Sequence, residues 1–183
     1  AAAALLGLQQ ICSYEAQAAL ALEGIASEAA ANQAKAPTYH LPLRRSSETL
    51  LEWDWQPLLT ALLADIANGT ASAAAMALAF HRALAEAIAE LAAQHHGAGN
   101  GRQGHDGSHR PRAVLLSGGC FQNQLLLELT VSALRRRDLS PIWPQQLPCN
   151  DAALAVGQLL ALAPEPPPLH TPRIPCHSRE PCL

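Results

Sequence analysis

Leu115-Leu116-Ser117-Gly118-Gly119-Cys120-Phe121-Gln122-Asn123-Gln124-Leu125-Leu126 decides how this chain is read. Its apolar start reads as the end of a buried strand, Ala113 to Ser117, and the glycine pair as a turn passing directly into a helix, Asn123 to Arg137. Glycine at such a turn lets the backbone come close to a ligand. The unpaired N–H groups of a helix start attract anions. Downstream, Pro141-Ile142-Trp143 reads as a second short strand, and Asn150-Asp151 opens a last helix, Asp151 to Leu162. Strand, helix, strand, helix predicts a parallel sheet in an α/β fold. Ligands of such sheets bind beyond the carboxyl ends of the strands, so both turns are expected on one edge. Asp151 then has two readings, a helix cap or a ligand to a metal or phosphate.

Upstream the pattern is helical. Ser13 is a candidate cap for a helix running to about Ala34, with Ala18, Leu22 and Ile25 on one face. Tyr39 to Leu43 and Thr49 to Trp53 read as two strands around the polar turn Arg44 to Ser47. Asp54 caps a helix to Ala67 with Pro57 in its first turn, Asn68-Gly69 stops it, and Thr70 caps the next. In that helix Met76, Phe80, Leu84, Ile88 and Leu91 form an apolar stripe expected in the core. Trp53 and Trp55 read as packing residues, and His81 as packed or surface rather than a ligand. From Gln94 to Arg112 glycine and histidine predict a surface loop, and the proline-rich tail 164–183 is expected to be disordered. Residues 1–163 would then form the folded unit.

Composition narrows the function classes. Only 4% of the residues are aromatic, so packing must rest on Leu, Ala, Ile and Val, which favours helices. A net charge of -3 argues against a nucleic-acid partner, which needs a basic face. Arg135-Arg136-Arg137 falls where cations suit a helix end. Five cysteines, Cys12, Cys120, Cys149, Cys176 and Cys182, are an odd set without a framework and point to a reducing, cytoplasmic setting. No run approaches the roughly 18 apolar residues of a membrane span, so no membrane partner is expected. The start has no charged segment of a signal peptide and no initiating Met, which predicts a piece of a longer protein. His105 and His109 stand four apart, but Gly104 and Gly107 oppose the helix that would make them a metal pair.

The string Ser117-Gly118-Gly119-Cys120-Phe121-Gln122-Asn123, followed by Leu147-Pro148-Cys149-Asn150-Asp151 and Leu154-Ala155-Val156-Gly157-Gln158, resembles the C-terminal end of the HypF hydrogenase-maturation carbamoyltransferases. Ser13-Tyr14-Glu15-Ala16-Gln17-Ala18-Ala19, Asp54-Trp55-Gln56-Pro57 and Phe80-His81 resemble further positions of that family. The likeness runs from about Ala1 to Leu162. It implies an α/β fold, the second lobe of an actin-like (RNase H-like) carbamoyltransferase domain. It also implies carbamoyl phosphate and ATP as substrates, a carbamoyl-adenylate intermediate, and the C-terminal cysteine of a partner protein, HypE, as acceptor. Other domains of the same polypeptide would lie upstream.

Residue by residue, the resemblance implies that Gly118 and Gly119 cradle nucleotide phosphates and that Asn123 and Asn150 orient nucleotide or carbamoyl groups. Glu15 and Gln17 would line the adenosine side. Asp151 would be one ligand of a zinc or iron ion, completed by histidines outside this chain. Ala152 and Ala153 stand where the family carries Gly-Gly, and Ala16 where it carries glycine. Two alternatives remain open: a noncatalytic remnant or interaction domain of the same fold, and another actin-like O-carbamoyltransferase or kinase.

Overall fold

The computed structural model describes residues 1–47, 50–98 and 112–162. In chain order the elements are α1 (Ala2–Leu5), α2 (Gln17–Ala31), β1 (Leu43–Arg45), β2 (Leu51–Trp53), α3 (Trp55–Asn68), α4 (Ala73–Ala98), β3 (Ala113–Leu115), α5 (Gln124–Arg135), β4 (Ser140–Ile142) and α6 (Leu154–Ala161). The long helix α4 forms the axis, with α2, α3 and α5 packed against it. Short 3-10 turns at Gly119–Gln122 and Asp151–Ala153 precede α5 and α6. The His105–His109 loop and the 164–183 tail lie outside the described residues.

Three core clusters meet along α4. Its first turns pack with α1, α2 and Leu125 of α5 around Ala26, Ala77 and Leu78. A second cluster joins Tyr39, Leu41, Leu58 and Leu62 to Met76, Ala79 and Ala83. A third joins Ala89 to Leu116, Val131, Leu134 and Leu139. The expected stripe is therefore only part of the buried surface. Met76 is buried and Phe80 and Leu84 pack against the second cluster, but Ile88 and Leu91 are only half-buried. The deepest positions on α4 are Ala77, Leu78 and Ala89. A helix wrapped on several sides needs more than one apolar face, and small alanines let the neighbouring helices come close. The helix also runs on to Ala98, past the loop expected from Gln94.

The two predicted sheets form, with shifted edges. β1 and β2 are antiparallel, with Leu43 opposite Trp53 and Arg45 opposite Leu51. Tyr39 and Leu41, expected in the first strand, lie before it and are buried against α3 and α4. Arg44, expected in the turn, is instead a strand residue whose guanidinium sits 2.5 Å from the Asp54 carboxylate. β3 and β4 are parallel as expected, with Ala113 opposite Ser140 and Leu115 opposite Ile142. β3 is not a buried strand, however. Val114 and Leu116 turn toward α5, while Leu115 on the other face is 72% exposed. Alternate strand residues face opposite ways, and among the described residues only one face of this two-stranded sheet is covered.

Caps explain the remaining helix boundaries. Asp54 Oδ1 accepts from the Gln56 N–H at 3.1 Å, and Gly69 at φ 61° ends α3, both as expected. Ser13 does not cap α2. Its N–H and its hydroxyl both donate to Gln17 Oε1, at 2.8 and 3.2 Å, and the chain enters α2 through Ala16 at φ 63°. Thr70 does not cap α4 either, because its hydroxyl donates to Asp65. Ser72 takes the role, its Oγ accepting from the Ala75 N–H at 3.2 Å. Tyr39 also donates to Asp65, at 2.8 Å, and burial with the Asp65 charge pushes its phenol well above the ordinary value. Arg136 and Arg137 reach across from the end of α5 to Glu86 of α4, Arg137 at 2.8 Å.

Candidate functional site

The two turns singled out in the sequence meet. The Gly118 N–H donates to the Cys149 carbonyl at 2.7 Å, which ties the loop after β3 to the loop after β4. Gly118 sits at φ 104°, ψ 157°, a conformation close to exclusive to glycine, so this contact requires that residue. Gly119 needs no such conformation and opens the 3-10 turn. Among the described residues no acceptor meets the Gly119 and Cys120 N–H groups. Between the turns lies a cleft of about 470 Å³ lined by Ser117, Gly118, Cys149, Asn150, Asp151 and residues of α6 down to Ala161.

Asn150, not Asp151, caps the second turn. Its Oδ1 accepts from the Ala152 N–H at 3.1 Å. This corrects the cap reading of Asp151 and leaves that carboxylate exposed in the cleft wall. The methyl of Ala153 also lines the cleft. Gly118, Asn150 and Asp151 are thus brought together. Gly119, Asn123, Glu15 and Gln17 are not among the lining residues. Glu15 is exposed ahead of α2, and Gln17 is occupied by Ser13. A second groove of about 700 Å³, lined by Phe121, Leu127, Val131 and Trp143 among others, adjoins the cleft at Cys149.

Asn123 holds the turn from the other end. Its Oδ1 accepts from the Leu126 N–H at 2.7 Å and caps α5, and its N–H donates to the Cys120 carbonyl at 3.3 Å. Its Nδ2 lies 3.0 Å from Nε2 of His81, which is buried on α4. Sequence reading left two parts of this arrangement unassigned. His81 was expected to be a packed or surface residue rather than a ligand. Glu23, eight residues beyond Glu15, was not singled out at all. Its Oε1 accepts from the Gln124 N–H at 2.7 Å and from the Leu125 N–H at 3.4 Å. The two residues are 101 apart in the chain, and no local spacing signals such a contact.

The described residues do not build a metal centre. Among them no three His, Cys, Asp or Glu side chains converge. Asp151 can offer one carboxylate, whereas stable zinc sites use three or four protein ligands.

Residues 1–158 match the family model described as the carbamoyltransferase, Kae1-like domain, second subdomain. The chain is 36% identical over 159 residues to carbamoyltransferase HypF of Synechocystis sp., covering 87% of this chain and 18% of that one. It is also 36% identical over 170 residues to a carbamoyltransferase HypF homolog of Cupriavidus necator, covering 91% of this chain and 39% of that one. The chain thus spans a minor part of these relatives. In fold it is similar to a crystal structure of full-length HypF in the phosphate- and nucleotide-bound form, with a TM-score of 0.67 and 24% identity over 86% of this chain and 18% of that one. HypF of T. kodakarensis gives a TM-score of 0.64 at 22% identity, with the same coverage.

Proposed function

Because the chain belongs to the HypF carbamoyltransferase family, as the second subdomain of its Kae1-like domain, we propose that the Gly118–Asp151 cleft is one wall of a carbamoyl-transfer site. The observation that carries this reading is the Gly118 N–H to Cys149 carbonyl bond, which joins the two motif turns into one cleft edge. The Gly119 and Cys120 amides, which have no acceptor among the described residues, would supply donors for a phosphate beside it.

In this reading the whole cytoplasmic polypeptide uses carbamoyl phosphate and ATP and forms carbamoyl-adenylate. The thiolate of the C-terminal cysteine of HypE attacks the carbamoyl carbon, the bond to AMP breaks, and a thiocarbamate forms. Asn150 orients the turn, and Asp151 presents a carboxylate to the cleft. Zinc or iron, where the whole protein binds it, would take the Asp151 carboxylate as one ligand and its remaining ligands from elsewhere in the polypeptide, and the chain alone is expected to be inactive. A second reading, a noncatalytic interaction domain, is favoured by the Ala153 methyl in the cleft wall.

The test is Asp151→Asn in the full-length polypeptide, assayed for carbamoyl transfer to HypE, ATP binding and metal content. The fold is expected to persist, because Asn150 carries the cap. Transfer is expected to fall sharply. Full transfer at unchanged metal content sinks the role of Asp151, and absence of ATP binding by the wild type favours the interaction domain.

A further inference from the structure

A polar cluster that the proposed transfer does not use lies behind the glycine turn, where α2, α4 and α5 meet. His81 is 3% exposed and stands on α4. Its Nδ1 lies 2.8 Å from the carbonyl oxygen of Ala77, one helical turn earlier. A carbonyl can only accept, so Nδ1 carries the proton there. Nε2 is then left as an acceptor, and the group facing it is the Asn123 amide at 3.0 Å. The amide orientation agrees independently, because Asn123 Oδ1 is already committed to the Leu126 N–H and Nδ2 must point to His81.

We infer that His81 is a positioning residue: as a neutral Nδ1–H tautomer it fixes Asn123, and through Asn123 the far end of the Gly118–Asn123 turn, so that charging His81 releases the turn. Imidazolium has donors at both nitrogens. Its Nε2–H would face the Asn123 Nδ2, donor against donor. Relief requires the amide to flip, which aims Nδ2 at the Leu126 N–H and loses the α5 cap. The near end of the turn is anchored separately by Gly118 on Cys149. Loss of the Asn123 anchor leaves the far end held only through Glu23 on the Gln124 and Leu125 N–H groups, one residue beyond the turn, and so loosens the Gly119 and Cys120 amides.

The surroundings favour the neutral ring. Burial pushes the His81 imidazole below its ordinary value, and this outweighs the Ala77 carbonyl and the Glu23 carboxylate on α2, which act the other way. From α5 the group facing it is the Asn123 amide, and Phe80 meets the ring edge-on at 6.3 Å between centroids. A histidine whose native value lies below its unfolded one binds fewer protons when folded. Its contribution is intact above the unfolded value and is lost as pH falls below it. The inference concerns the turn itself and holds whatever ligand the turn faces.

The experiment replaces Asn123 by Asp and follows melting of the 183-residue chain between about pH 7.5 and about pH 5.5, around the ordinary imidazole value. Asp caps as well as Asn, but it offers His81 an acceptor. The imidazolium then becomes the favoured form, and stability is gained below the raised value and lost above it. The melting-temperature difference between N123D and wild type is expected to move in favour of N123D as pH falls. Asn123→Ser keeps a cap but offers His81 no such partner, and it should show a loss without that reversal. Parallel profiles for wild type and N123D overturn the inference. Should N123D not fold, nitrogen NMR of the wild-type histidines decides. A buried ring protonated at Nδ1 supports the inference, and one protonated at Nε2 overturns it. Amide exchange across Gly119–Leu126 in the wild type reads the turn directly. Protection that falls with acid, after correction for intrinsic rates, is expected, and protection that stays constant counts against release.

Discussion

Replacing Glu23 should reveal how much a single long-range carboxylate holds the motif turn in place. Its Oε1 meets the first N–H groups of α5 at 2.7 and 3.4 Å. The shorter contact is charge-assisted, a class of bond worth about 1.5–3 kcal/mol net. The longer one is at the edge of hydrogen-bond range and adds little. The charge also lies at the positive end of a helix, for about 0.5 kcal/mol more. Glu23 is only half-buried, so water can rehydrate part of what is lost. Glu23→Ala should therefore cost about 2 kcal/mol, and Glu23→Gln, which keeps an acceptor without the charge, about 1 kcal/mol. For a chain of this size 2 kcal/mol corresponds to a fall of roughly 4–8 °C in melting temperature. Urea unfolding followed by circular dichroism should show lower midpoints with unchanged slopes. A Glu23→Ala loss below about 0.5 kcal/mol would falsify the reasoning, since water would then serve the α5 amides as well as Glu23 does. Equal losses for Ala and Gln would remove the charge from the account.

Gly118→Ala should cost about 1–3 kcal/mol through backbone strain alone, since a Cβ there meets open space, and Gly119→Ala clearly less; equal losses in urea unfolding would contradict the backbone argument. Asp54→Ala should cost about 1–2 kcal/mol by removing the α3 cap together with the ion pair to Arg44, and Asp54→Asn, which keeps the cap and loses only the charge, should cost less, a difference that thermal melting can separate. Leu115, Leu154 and Leu159 are more than half exposed, so the chain on its own should elute from a sizing column above monomer mass, and Leu154→Gln with Leu159→Gln should reverse this. A concentration-independent monomer would show that this apolar surface does not drive association.

What was legible in the sequence was local. Asp54 and Gly69 bound α3 because capping and left-handed glycine are decided within a few residues. The parallel pairing of β3 with β4 followed from element order. The Gly118 and Asn150 turns meet because both strands end at one edge. The misreadings came from competition. Ser13 and Thr70 have the chemistry of caps, but Gln17 and Asp65 claim their hydroxyls. Asp151 lost the cap to its neighbour Asn150. β3 looked buried because an apolar run does not reveal how many of its faces are covered. Glu23 and His81 were invisible as site-builders because their partners lie 101 and 42 residues away.

The alanines along the helix contacts carry a further consequence. Ala26, Ala77, Ala89 and Ala133 are completely buried on α2, α4 and α5. A leucine immobilised in a core gives up about 0.5–1 kcal/mol of rotamer freedom, and a methionine about twice that, whereas alanine has no rotamers to lose. An interior with many methyl groups gains less from each residue taken out of water, but it also freezes less on folding. The helices α2, α4 and α5 therefore form a scaffold whose internal contacts have few alternative arrangements. Slow side-chain rearrangement in this unit should concentrate where the larger groups gather, around Met76, Leu58 and Leu62 and around Leu116, Leu134 and Leu139, rather than along the alanine contacts between the helices.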